Sequence, residues 1–280
     1  MQPVLFREPR ARRIEAFAAA LAARAEDRGE RRESRVSTSP RCAATAPAAR
    51  VLQRATTPTP CATPVTTSAA PRTPLLTARG LACDRGTRSL FDRLDLDLHA
   101  GELLWIRGRN GRGKTSLLRL LAGIAVPAAG EVRLHDEIVG ETHGSPAGIL
   151  YIGHSDALKD DLSLAEALAF LLRIHGHAGD PASVDATLAH WGLLDRRDAP
   201  VGMLSQGQRR RLALARLGVE RNASLWILDE PFDALDSDGG DRLNALLAEH
   251  LGDGGGVLCT GHDARLAPGL GARELDLDRC

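Results

Sequence analysis

Lysine is nearly absent from this chain: two residues in 280, against 34 arginines. Aromatic residues are also scarce, at 3%. No stretch approaches 18 consecutive apolar residues, so nothing reads as a membrane-spanning helix. The N-terminal residues carry arginine but no apolar segment followed by a small-residue cleavage site, which argues against a secretory signal. The five cysteines (Cys42, Cys61, Cys83, Cys259 and Cys280) are odd in number, widely spaced and free of any C-x-x-C pair. That pattern argues against a disulfide framework or a zinc site, and it suits a reducing cytoplasm. Net charge is zero but unevenly spread: residues 1–74 hold 13 Arg and 6 acids, a net of +7, which leaves −7 on residues 75–280. A mildly acidic body gives no reason to expect nucleic acid as a partner.

Residues 1–74 read as a disordered low-complexity extension, or as a start placed too far upstream. Arg10 to Arg35 has the makings of a charged helix with an alanine face, and Ser37 to Pro74 is mostly Ala, Thr, Pro and Ser. A membrane-surface or partner-binding arm is the competing reading of this segment. Regular structure is expected from Leu75 onward. Leu94, Leu96 and Leu98 alternate with Asp95 and Asp97, the period of a strand with one wet face. Leu103 to Arg107 reads as a buried strand, Thr115 to Ala122 as a helix stopped by Gly123, and Ser163-Leu164-Ala165-Glu166 as a capping box opening a helix to about Ile174. Further helices are expected from Ala182 to Trp191, from Gly207 to Leu217, and through Leu243, Leu246, Leu247 and Leu251. Leu225 to Leu228 and Val257 to Thr260 read as buried strands. The whole is an α/β frame with a mostly helical insertion at about 155–205, and with no internal repeat.

One of the two lysines closes the run Gly108-Arg109-Asn110-Gly111-Arg112-Gly113-Lys114-Thr115. Arginine supplies positive charge nearly everywhere else, so a lone lysine here marks a task a guanidinium cannot perform. A slim ammonium enters a narrow loop of backbone N–H groups and reaches the β- and γ-phosphates of a nucleotide; a planar guanidinium is too wide. The spacing fits the phosphate-binding loop, and strand, glycine loop and helix follow in the order that loop requires. Backbone N–H groups and the helix dipole would hold the anion, with the Thr115 hydroxyl suited to Mg²⁺. In Leu225-Trp226-Ile227-Leu228-Asp229-Glu230 a carboxylate pair emerges at the C-terminal end of a buried strand, where ligands sit in open α/β sheets. Asp229 is expected to hold Mg²⁺ and Glu230 to orient or deprotonate the attacking water.

Leu204-Ser205-Gln206-Gly207-Gln208 matches the Leu-Ser-x-Gly-Gln signature of the ATP-binding cassette superfamily. Ser205, Gln208 and the N–H groups near Gly207 open a helix and suit a γ-phosphate. Alone, Arg209 to Arg211 would be a solvated basic patch, awkward at a helix N-terminus unless phosphate or acid lies nearby. Ala234-Leu235-Asp236 resembles the superfamily's D-loop, and Thr260-Gly261-His262 its switch-histidine turn. The resemblance implies an ABC-type ATPase of the phosphate-loop NTPase class: a mixed-sheet core with an antiparallel β subdomain and an inserted helical subdomain. It also implies ATP and Mg²⁺ as cofactors and Ser116 beside the phosphate loop. His262 would act in catalysis with Glu230, and two copies would pack head to tail around two ATP molecules.

Within the superfamily the wording is similar to the ATP-binding subunit of the cytochrome c biogenesis heme exporter. Carrying that likeness are Leu81 to Arg85, Asn110 to Gly123, Tyr151-Ile152-Gly153-His154, Leu158-Lys159, Arg209 to Leu217, and Leu225 to Pro231. It covers the chain from about residue 75 to its end. Two positions depart from the general cassette pattern: Arg85 stands where an aromatic usually stacks on adenine, and His154 where a glutamine usually senses γ-phosphate and Mg²⁺. A guanidinium plane also stacks on a base. The resemblance implies an ATPase subunit that is peripheral on the cytoplasmic face of the bacterial inner membrane. It would dock there on integral membrane subunits through the region between His154 and Gly202, with heme or a heme-loaded chaperone as cargo. His175 and His177 read as helix-end or solvated residues, and no Cys-x-x-Cys-His occurs, so the chain is not itself a c-type cytochrome. An exporter ATPase for a drug, lipid or polysaccharide, and a soluble cassette ATPase with no transporter, are the competing readings.

Overall fold

A computed structural model describes residues 73–86, 88–140, 148–219, 223–261 and 265–279. The expectations for residues 1–72 and for His262 lie outside the described residues. Two sheets carry the chain. β1 (Leu76–Arg85) and β2 (Arg88–Leu98) form an antiparallel pair, and β3 (Leu103–Arg107) leads into the glycine loop and α1 (Lys114–Leu121). β4 (Ala129–Leu134) and the two-residue β5 (Glu137–Ile138) complete a four-stranded antiparallel sheet in the order β2-β1-β4-β5. β6 (Ile149–Ile152) precedes α2 (Leu164–Ile174), α3 (Pro181–His190) and α4 (Gln206–Ala215). β7 (Leu225–Leu228), α5 (Ser237–Gly252), β8 (Gly256–Thr260) and β9 (Arg273–Asp276) follow. The second sheet runs β6-β7-β8-β3-β9 with every pairing parallel. The mixture of strand directions expected in the core is thus segregated into two sheets.

Apolar runs make the central strands because both faces of the parallel sheet are covered. Leu104, Ile106, Leu225, Ile227 and Leu258 face one core, shared with β1, β2 and α1. Leu103, Trp105, Trp226, Leu228, Val257 and Cys259 face the other, shared with α2 to α5. α2 begins as expected: Ser163 Oγ accepts from the Glu166 amide while Glu166 Oε2 accepts from the Ser163 amide. Asp180 and Asp236 cap α3 and α5 in the same way from one side. Because β6, β7, β8 and β3 are parallel neighbours, their C-terminal ends lie along one edge. That edge brings together Gly153, Asp229, Thr260 and the glycine loop.

Candidate nucleotide site

The loop after β3 is shaped by glycine. Gly113 has φ 104°, and a Cβ there would lie 3.2 Å from the Leu90 side chain on β2, so only glycine lets loop and sheet close together. Lys114, 7% exposed, turns inward and donates from Nζ to the Gly108 carbonyl at 2.7 Å. The flanks of the loop are anchored by the C-terminal segment. Asp278 accepts from the Arg109 amide at 3.0 Å, and Arg112 Nε donates to the Leu277 carbonyl at 2.9 Å. Gly111 (φ 77°) and exposed Asn110 form the tip. Ser116 lies in the first turn of α1, near the Cys83 thiol, whose pKa is raised by burial and then by Asp84.

Thr115 links the loop to the carboxylates. Its Oγ1 donates to Asp229 Oδ2 at 2.8 Å, and buried Thr260 donates to Asp229 Oδ1 at 2.7 Å. The Thr260 hydroxyl also accepts from the Glu230 amide at 2.9 Å, so one side chain fixes both acidic residues. Glu230 sits in the left-handed region at φ 50°. His154 Nδ1 lies 3.2 Å from Glu230 Oε2, and Asp233 joins them in a cluster whose ligand atoms all lie within 4.8 Å of one another. Gly108, Lys114, Thr115, His154, Asp229 and Glu230 therefore converge. Arg85 stands at the exposed end of β1, paired in register with Arg88.

A second group gathers at α4. Ser205 and Gln208 form a reciprocal capping box, which satisfies the N-cap and N3 amides and leaves those of Gln206 and Gly207 pointing outward. A Cβ on Gly207 would lie 2.7 Å from the Ala234 carbonyl, so glycine alone lets α4 approach the Pro231–Asp236 turn. Asp236 pairs with Arg211 and accepts from the Gly239 amide at 2.9 Å; Arg211 first, then that amide, hold its carboxyl below the usual range.

The ABC transporter family pattern matches residues 91–233. A "Cytochrome c biogenesis ATP-binding export protein CcmA" from Pseudomonas syringae pv. tomato is 46% identical over 207 residues, covering 74% of this chain and 97% of that protein. The chain belongs to the ABC transporter family. It is a CcmA-type ATP-binding subunit, and its chemistry is nucleotide binding and ATP hydrolysis. The same-named protein of Escherichia coli K12 is also 46% identical, over 67% of this chain and 89% of its own length. Among solved structures, the cassette MJ0796, a dimer in a post-hydrolysis state bound to ADP and Pi, matches with a TM-score of 0.62. At 22% identity over 72% of this chain and 93% of that one, this is a likeness of fold.

The structure also contains contacts at this site that the sequence motifs did not announce. Acid does lie beside each of the three consecutive arginines of α4: Arg209 pairs with Asp160, Arg210 with Asp156, and Arg211 with Asp236. Arg210 is 4% exposed, unlike a solvated basic patch. Helical spacing alone does not select it, because Leu212 to Ala215 are all buried and follow each of the three arginines at three or four residues. Thr260 was read as the end of a buried strand and the start of a turn, without a part in the site; its place level with Asp229 was the available signal. An open cavity of about 530 Å³ adjoins the carboxylates, bounded by Thr115, Arg119, Tyr151, His154, Arg216 and Glu230. His175 caps the end of α2 and meets Arg216 at 2.9 Å, a helix-end role as expected.

Proposed function

We propose that this chain is the ATP-hydrolysing subunit of a membrane complex that energises heme delivery for c-type cytochrome assembly. The observation that carries the reading is the Thr115–Asp229–Thr260–Glu230 network at the strand ends. It stands in a chain 46% identical to a cytochrome c biogenesis export protein over 97% of that relative's length. Gly108 to Ser116 cradle the phosphates, and Lys114 exchanges the Gly108 carbonyl for phosphate oxygen. The donor set fits Mg²⁺: a hydroxyl and a carboxylate, both hard oxygens, already face each other at 2.8 Å. Thr115 and Asp229 would hold the ion, which supplies neutralisation of developing phosphate charge. Glu230 orients and deprotonates water, with His154 beside it; the family resemblance assigns His262 a part in the same step. Arg85 stacks on the base.

Two copies would close head to tail, with Ser205, the Gln206 and Gly207 amides and Gln208 capping the other subunit's γ-phosphate, and Asp236 joining the seam. No helix among the described residues is long and apolar enough to cross a membrane. By its likeness to cytochrome c biogenesis export proteins, the chain would sit at the cytoplasmic face of the inner membrane on integral partner subunits, docking between His154 and Gly202. The test is genetic and chemical. Removing the gene should abolish covalent heme staining of c-type cytochromes, wild-type protein should restore it, and Glu230→Gln should not. Normal cytochrome staining in the deletion strain would refute the reading.

A further inference from the structure

We infer that Arg210 is a positioning residue for hydrolysis, holding the catalytic carboxylates and the His154 turn in one frame. The inference rests on the ATPase reading above and adds to it a residue outside the nucleotide motifs. Arg210 lies on α4, yet its guanidinium leaves the helix and enters the strand ends. One nitrogen donates to the Gly153 carbonyl at 3.0 Å and to Asp156 Oδ1 at 3.1 Å. The other donates to the carbonyls of Asp229 at 2.7 Å and Glu230 at 2.9 Å. A single planar fork thus binds the backbone of both acidic residues and of the residue preceding His154. A guanidinium suits this because its donors are fixed in one plane, whereas an ammonium is a point charge on a flexible stem.

The neighbouring arginines do not share this role. Arg209 and Arg211 reach Asp160 and Asp236, which are 64% and 60% exposed. Burying a cation is tolerated only when it is paired and hydrogen-bonded, and Arg210 meets one carboxylate and three carbonyls. Its contacts bear on reactivity through Glu230. That residue's left-handed backbone, φ 50°, is one that L-residues avoid unless surroundings impose it. Two contacts flank it: the Thr260 hydroxyl takes its N–H and Arg210 takes its C=O. Removing Arg210 frees one side of the peptide that aims the Glu230 carboxylate, while Lys114 and the glycine loop keep their own contacts.

The experiment uses the full-length chain and the variants Arg210→Gln and Arg210→Lys. Affinity for a fluorescent ATP analogue should stay within about threefold in both. In Arg210→Gln, kcat should fall roughly 10- to 100-fold, the scale of a misplaced catalytic group, with Arg210→Lys intermediate. Hydrogen–deuterium exchange should rise in peptides spanning residues 149–156 and 225–233, and stay unchanged in α5. Unchanged exchange in those two segments, or unchanged kcat, would overturn the assignment; so would parallel losses of affinity, turnover and melting temperature, which mark a merely structural residue. Should the glutamine variant not fold, the lysine variant carries the same split of kcat against affinity. Absence of ATP turnover in the wild type refutes the ATPase reading instead, and the exchange measurement still decides Arg210.

Discussion

Thr260→Val changes one buried atom group and should expose how far a single hydroxyl supports this site. Thr260 is fully buried, donates to Asp229 Oδ1 at 2.7 Å and accepts from the Glu230 amide at 2.9 Å. Valine keeps the shape and removes both bonds. Losing a hydrogen bond to a charged carboxylate costs about 2 kcal/mol, and leaving the half-buried Glu230 N–H unpaired costs about 1 kcal/mol more. The added methyl offsets about 0.8 kcal/mol. A net loss of about 2 kcal/mol in a folded unit of this size lowers Tm by roughly 4–8 °C. Thermal unfolding followed by circular dichroism reads this directly, with Thr260→Ser as the partner variant. Serine keeps the hydroxyl and loses only a methyl, so its Tm should lie closer to wild type, with a loss of about 1 kcal/mol. A valine variant within about 2 °C of wild type, or a serine variant less stable than valine, would refute the reasoning.

Three further outcomes are expected. Lys114→Ala should weaken nucleotide binding by about 100-fold or more, since it removes the ammonium that turns into the loop; Glu230→Gln should keep the wild-type affinity while lowering kcat at least about 100-fold and accumulating an ATP-bound dimer on size-exclusion chromatography. Gly207→Ala should destabilise by about 1–3 kcal/mol, because its Cβ would meet a backbone carbonyl; urea unfolding would show a lower midpoint at unchanged slope. Desolvation, with repulsion from Arg216 and His177 added, lowers the pKa of His175. The unfolded chain therefore binds a proton first, and stability should fall as pH drops below about 6.5 and level off beneath the folded value. His175→Gln should flatten that slope between pH 7.5 and 5.5, and an unchanged slope would assign it to another group.

Much of the frame was legible because its signals are local. The apolar runs of β3 and β7 match the observed strands residue for residue, and the Ser163–Glu166 box opens α2 where the spacing put it. Helix ends were read less well. α1 begins at Lys114 rather than Thr115, and α4 tightens into a 3₁₀ turn over Arg216–Gly218 instead of continuing to Leu217. β4 and β5 gave little signal, being short, partly exposed and defined by pairing with β1 and each other. The site divided along the same line. Glycine, lysine and carboxylate spacing announced the phosphate loop and Asp229–Glu230. Three identical arginines in a row could not say which of them turns inward, since that depends on which face of α4 meets the sheet.

The lysine that closes the glycine loop is already engaged by Gly108 before any phosphate arrives. On the proposed function, nucleotide entry would be a change of acceptor for a side chain already in place, with the Arg109 and Arg112 anchors holding the rim meanwhile. A receptor formed in advance spends little ordering entropy on capture. The association rate should then be set by diffusion and orientation, and, on the proposed function, the slower events of a turnover cycle would belong to closure of two copies and to the membrane partners they would drive.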